Sequence, residues 1–248
     1  ETERGLEFAR KAKFRDVIDV IVAQRQFIQN MRGRTSHFSS FSDHTFDQNA
    51  FEAQLTGERM ATMVCWYWII KLQARVISGD YASALDAAQR ARSLLWASDG
   101  HIQLLDYYFY SSLAATAQVR ASGPACGSAG ETLRANLRRL AEWAENGAET
   151  FRDRDALVAA EVARVEGRIL EAQEFYEQAI RSARTFGFVQ SEALACELAA
   201  RFYASRGFDD IATLYLRSAR LCYARWGAEG KVRRMDQENP ELLGEGRT

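Results

Sequence analysis

Proline is nearly missing from this chain: Pro124 and Pro240 are the only two in 248 residues. Proline breaks helix interiors and sits at sheet edges, so its absence over long stretches permits long helices. Lysine is also scarce, with Lys11, Lys13, Lys71 and Lys231 alone, so nearly all basic residues are arginine. That skew reflects genome composition more readily than function. Charge of one sign is lacking too, with 32 basic residues against 33 acidic ones. A dedicated nucleic-acid or acidic-membrane binder needs a positive field, so neither partner is expected. None of Cys65, Cys126, Cys196 and Cys222 forms a C-x-x-C pair, which removes the usual zinc and redox signature. Three of them lie in helical segments among apolar neighbours and read as small core residues of a protein in a reducing cytoplasm. The longest strictly apolar run, Met63 to Ile70, falls short of the roughly 20 residues a membrane span needs. No signal peptide is visible. The first residue is not methionine and a helix-like segment is under way by Gly5, so a piece of a longer protein is expected.

What is present suits a soluble globular chain: 47% apolar and 26% charged residues, long enough to bury a real core. The C-terminal third repeats itself. An offset of 40 places Gly167 on Gly207, Ala172 on Ala212, Ala179 on Ala219 and Gly187 on Gly227. Apolar positions follow, with Val158 on Leu198, Ala160 on Ala200, Val162 on Phe202, Phe175 on Tyr215 and Phe186 on Trp226. An earlier copy aligns 88 residues before the first, with Gly79 on Gly167, Ala84 on Ala172 and Ala91 on Ala179. In each copy a helix with apolar spacing of three and four ends at a glycine, which closes a helix C-terminus in the left-handed conformation. A second helix follows, with alanines on one face that let two helices approach closely. One such pair cannot cover both of its faces, so the pairs must stack.

This reading predicts helices near 4–31, 46–56, 58–78, 81–97, 101–121, 131–146, 152–166, 169–185, 190–205, 208–225 and 228–236. Gly33 to Thr45 is expected to be an ordered loop, and Ala121 to Gly130 a looser one. Residues 1–238 read as a single helical-repeat domain and 239–248 as a flexible tail. The expected fold class is all-α, an α-α superhelix of stacked antiparallel helix pairs with a repeat of about 40 residues.

Gly79-Asp80-Tyr81 followed by Ala84, Ala88 and Ala91 resembles the glycine–tyrosine–alanine signature of tetratricopeptide repeats, although Ile169 and Asp209 stand at the tyrosine position of later copies. Several blocks carry a narrower resemblance. They are Phe38 to Asp43 with Phe46-Asp47, Cys65 to Ile69 with Lys71 to Arg75, and Leu94-Leu95-Trp96. Phe175 to Ile180 is another, as is Glu192 to Ala195 with Glu197 to Tyr203. Together they are similar to the helical region of bacterial multidomain signalling kinases. In that family a serine/threonine-kinase-like domain and an AAA-type ATPase precede the helical repeats, and a GAF sensor and a histidine kinase follow. The resemblance implies a middle, linker-like module without catalytic residues.

The chemistry of specific sites is sparse. Gly123 to Thr132 has the outline of a phosphate loop, but Glu131 stands where the phosphate-binding lysine belongs and no strand precedes it. His37, Asp43, His44 and Asp47 share one loop in a spacing that fits no standard metal motif. They read instead as hydrogen-bonded loop residues, with Asp47 as a helix cap. His101 stands alone at a helix start. No nucleophile–base signature is seen, so no catalytic, cofactor or metal residue is expected. The aromatic clusters Trp66-Tyr67-Trp68 and Tyr107-Tyr108-Phe109-Tyr110 point in several directions around a helix and read mainly as core.

In the tetratricopeptide register the first helix of each pair lines a concave groove. Gln73, Arg154, Glu161, Arg164, Glu197 and Arg201 are then expected to face it. Glu161 and Arg201 occupy equivalent positions and could instead pair between neighbouring repeats. The functional expectation is a non-catalytic scaffold for protein interaction and signal relay. Its partners would be neighbouring domains of the same chain or another protein or peptide, and the sequence sets no oligomeric state. The alternative is a ligand-sensing module that binds a small molecule or peptide and regulates adjacent ATPase or kinase domains.

Overall fold

The computed structural model describes residues 2–122 and 128–243. Among these residues there are twelve α-helices and no strand. The chain divides into two compact units, Glu1–Ala114 and Ala115–Thr248.

In the first unit α1 (Thr2–Lys11) packs on α2 (Arg15–Met31), α2 on α4 (Ala61–Ser78), and α4 on α5 (Tyr81–Arg92). The short α3 (Gln48–Glu52) lies between, and a 3₁₀ turn at Leu95–Ser98 leads to α6 (Gln103–Ser122), within which the division falls. The single helix expected over 4–31 is broken. Lys13 sits at φ 57°, and the amides of Lys13 and Phe14 return to the carbonyls of Arg10 and Ala9. That is a Schellman close built on a residue other than glycine.

The same close recurs on glycine wherever the repeat predicted it. At Gly79, Gly167, Gly187, Gly207 and Gly227, all with φ between 75° and 83°, the glycine amide bonds three residues back and the next amide five residues back. No neighbouring atom lies within 4 Å of a Cβ built at these five glycines. Backbone conformation, not crowding, therefore selects glycine there.

In the second unit α7 (Ser128–Asn146) packs on α8 (Ala148–Val165), α8 on α9 (Ile169–Phe186), α9 on α10 (Val189–Ala204), α10 on α11 (Asp209–Trp226), and α11 on α12 (Glu229–Glu238). Helices adjacent in sequence thus pack in pairs, as an α-α superhelix requires. The repeat alanines supply the contact faces: Ala84, Ala91, Ala172, Ala179 and Ala219 have no exposed surface. Tyr215 of α11 stacks flat on Tyr203 of α10, with ring centroids 5.3 Å apart, and its hydroxyl donates to Glu177 of α9. One side chain thereby links two successive hairpins.

Five of the residues 121–130 expected to form a loose loop, 123–127, lie outside the described residues. Ser128 already belongs to α7. Of the expected tail, Pro240–Leu243 forms a 3₁₀ turn, and 244–248 lie outside the described residues. The loop after α2 is ordered by two buried amides. Asn30 Nδ2 donates to Thr35 Oγ1, Phe38 O and Ser40 O, each at 3.0 Å, and Gln26 Nε2 donates to Phe41 O at 2.9 Å. Tyr67, Trp68, Tyr107, Phe109 and Tyr110 are buried, with Trp66 and Tyr108 half-buried, as the core reading of the aromatic clusters predicted. Cys65, Cys196 and Cys222 are buried free thiols. Among the described residues no helix is long and apolar enough to cross a membrane.

Candidate interaction cleft

Three helices of the second unit frame an open cleft of about 510 Å³. From α10 come Glu197, Ala200, Arg201 and Ala204, and from α11 Asp209, Ala212, Thr213 and Leu216. Met235 and Glu238 of α12 and the following Asn239 close the third side. Spacings of one, three and four residues set each group on one helix face. Three alanines leave the space, Leu216 and Met235 make its walls apolar, and Arg201, Asp209 and Glu238 supply charge of both signs.

Glu197 is the anchor. It is 4% exposed and accepts hydrogen bonds from Lys231 Nζ and Tyr223 Oη, both at 2.7 Å, and from Arg201. Burial alone would raise its carboxyl pKa. The charges of Lys231 and Arg201 and the two hydrogen bonds outweigh that and hold it down to about 2. The carboxylate thus ties α12 and α11 to α10 and fixes where Arg201 stands.

The same device appears twice more. Glu161 of α8, also 4% exposed, accepts from Tyr176 of α9 and from Arg164, whose Nη2 lies 2.6 Å away. Glu52 of α3 accepts from Tyr67 Oη at 2.6 Å and Lys71 Nζ at 2.7 Å, both on α4. In each case a carboxylate between helices takes a tyrosine hydroxyl and a cation. Removing water from so polar a group is costly unless donors take its place, and here a tyrosine hydroxyl and a cation do so.

The structure therefore brings two of the six expected groove residues, Glu197 and Arg201, to one cleft. Arg154, Glu161 and Arg164 lie on α8, and Gln73 of α4 donates to Tyr110 Oη at 3.0 Å. Glu161 is an internal clamp rather than a solvated groove residue. The ion pairs of Glu161 with Arg164 and of Arg201 with Glu197 run within a helix. Lys231 and Met235 escaped the sequence reading because α12 lies beyond the last aligned copy, and Tyr223 of α11 because 26 residues separate it from Glu197.

The histidine-containing loop is built as hydrogen-bonded structure. Asp47 Oδ1 accepts from the amide of Ala50 at 2.9 Å and caps α3. Burial would raise the Asp43 carboxyl pKa, but Gln26, Thr45 and Phe46 donate to it and hold it at about 2. His101 stands edge-on to Trp66 with ring centroids 5.3 Å apart.

A second open cleft, of about 450 Å³, lies between α8 and α9 and is lined by Arg152, Gln178, Arg181, Ser182, Thr185 and Phe186. No family model matches the chain, and no match is found among the curated proteins or the solved structures. The helical-repeat architecture therefore rests on the internal copies and their packing alone.

Proposed function

We propose that this chain is a non-catalytic interaction and signal-relay scaffold, and that the cleft framed by α10, α11 and α12 receives a peptide segment. The observation that carries this reading is the cleft itself: small and apolar walls, mixed charge, and a buried carboxylate beneath that keeps the three helices in place. A peptide contributes apolar side chains to Ala204 and Leu216, above the buried Ala200 and Met235, and polar groups to Arg201, Asp209 and Glu238. An open cleft of this kind favours a polymer over an enclosed small molecule.

The reading without catalysis is supported by how the candidate acid–base groups are used. Glu52, Glu161 and Glu197 are each committed to holding helices together. Burial pushes the Cys196 thiol pKa up to about 12 and raises those of Cys65 and Cys222, away from the thiolate a nucleophile needs. The sequence blocks from Phe38 to Tyr203 support placing this scaffold in a bacterial multidomain sensor kinase, where the segment received belongs to a neighbouring domain.

Ala204 is exposed at the end of α10, so Ala204→Trp fills the cleft without disturbing the core. Titration of that neighbouring-domain segment onto the chain tests the proposal. Binding weakened about tenfold or more by Ala204→Trp supports it. Equal affinity for the variant and the parent contradicts it.

A further inference from the structure

Outside the cleft, α11 carries an apolar stripe that its sister helices lack. Phe208, Ile211, Leu214 and Leu221 lie along one side of the helix start and body, and they are 47%, 39%, 62% and 60% exposed. The repeat offset of 40 puts these positions on Arg168, Glu171, Glu174 and Arg181 at α9. The earlier copy at α5 has Asp80, Ser83, Asp86 and Ser93 there. The positions are structurally equivalent, because each helix opens just after a left-handed glycine and sets its alanines against the preceding helix. A helix face that water covers is polar, and two copies obey that rule while the third does not. One exposed leucine is unremarkable, but a row of four large apolar side chains marks a surface that another surface covers.

We propose that this face of α11 pairs with the same face of a second copy of the chain, the two helices running antiparallel about a two-fold axis. Charge selects both the occupant and the direction. Asp210 stands in the first turn of α11, Arg225 in its last turn, and Arg217 between them. An antiparallel pair sets the acidic end of each helix against the arginines of the other, whereas a parallel pair sets like against like. The helix dipoles favour the same arrangement. The stripe is self-complementary, as an isologous interface requires. A single helix pair of this length buries on the order of 1,000 Å² in total, at the low end for specific association, so the dimer is a weak one with micromolar affinity. This inference is independent of the cleft, which lies between α10, α11 and α12.

Sedimentation equilibrium of the whole chain from about 5 to 500 µM, a range set to bracket micromolar affinity, tests the proposal. The apparent mass should climb from 28.0 kDa toward twice that value. Leu214→Glu with Leu221→Arg installs the residues that α9 carries, at exposed positions where the fold is undisturbed. This variant should stay at the monomer mass with an unchanged helical circular dichroism spectrum. Asp210→Arg alone should weaken the dimer about tenfold through two symmetric pairs, and adding Arg225→Asp should restore it. A parent chain that remains monomeric throughout overturns the proposal and leaves the stripe to a different partner. So does a double-leucine variant that associates as the parent does. If the helical spectrum of that variant changes, the decision passes to Phe208→Arg, for which retained association overturns the proposal and its loss upholds it.

Discussion

The Tyr223 hydroxyl donates to one oxygen of Glu197 while Lys231 Nζ donates to the other, both at 2.7 Å. One carboxylate thereby fastens α11 and α12 to α10, and the cleft between them depends on it. Glu197→Gln removes the carboxylate charge from beside the buried Lys231. The variant should lose roughly 3–5 kcal/mol of stability at pH 7, the cost of breaking a buried pair. Because the folded carboxyl is held down to about 2, its contribution is fully present above the ordinary glutamate value and disappears as pH falls toward 2. Urea unfolding of parent and variant should differ at pH 7 and converge near pH 2.

Asp155 of α8 behaves in the opposite sense. Burial raises its carboxyl pKa to about 6, aided by Glu145 and partly offset by Arg152. The folded state therefore holds this proton more tightly than the unfolded chain does, and the group costs stability as pH rises from about 4 to 6. Asp155→Asn removes that cost. Its melting temperature should exceed the parent's at pH 7 and match it at pH 4.

Two substitutions at helix ends form a matched pair. Gly207 has φ 77° with no atom within 4 Å of a built Cβ, so Gly207→Ala meets conformational strain alone and should cost about 1 kcal/mol. Lys13 already bears that strain at φ 57° on an exposed residue, so Lys13→Gly should be neutral or stabilising by up to about 1 kcal/mol. Chemical denaturation of the two variants should move in opposite directions.

Ala179 of α9 has no exposed surface, and neither has its repeat partner Ala219 of α11. Enlarging either to leucine forces packed helices apart and should destabilise by about 1–3 kcal/mol. Ala204→Leu, at an exposed position of the cleft, should change stability by less than about 0.5 kcal/mol. Thermal unfolding of the three variants separates hairpin packing from helix propensity, which leucine scarcely alters.

The hairpins were legible in the sequence because their signals are local. Glycine at 79, 167, 187, 207 and 227 marks where helices end, and alanine at 84, 172 and 179 marks where they touch. Lys13 carried no such mark, so α1 and α2 read as one helix. The limits of other elements moved for similar reasons: α8 begins at Ala148, behind Gly147, rather than at 152, and α5 gives way to a 3₁₀ turn after Arg92. The clamps were not legible. Tyr176 lies 15 residues from Glu161, and Tyr223 and Lys231 lie 26 and 34 from Glu197. A carboxylate in an amphipathic helix reads as solvated unless its distant partners are known. The stripe on α11 was present in the repeat alignment, and comparison of outward positions between copies, rather than inward ones, exposes it.

Hydrogen exchange across the whole chain, alone and with the neighbouring-domain segment that the proposal invokes, tests the scaffold reading most directly. Amides of α10, α11 and α12 should gain protection when the segment binds, with the largest gain around Arg201, Thr213 and Met235. Binding that leaves those three helices unprotected, or that protects residues elsewhere alone, contradicts the account.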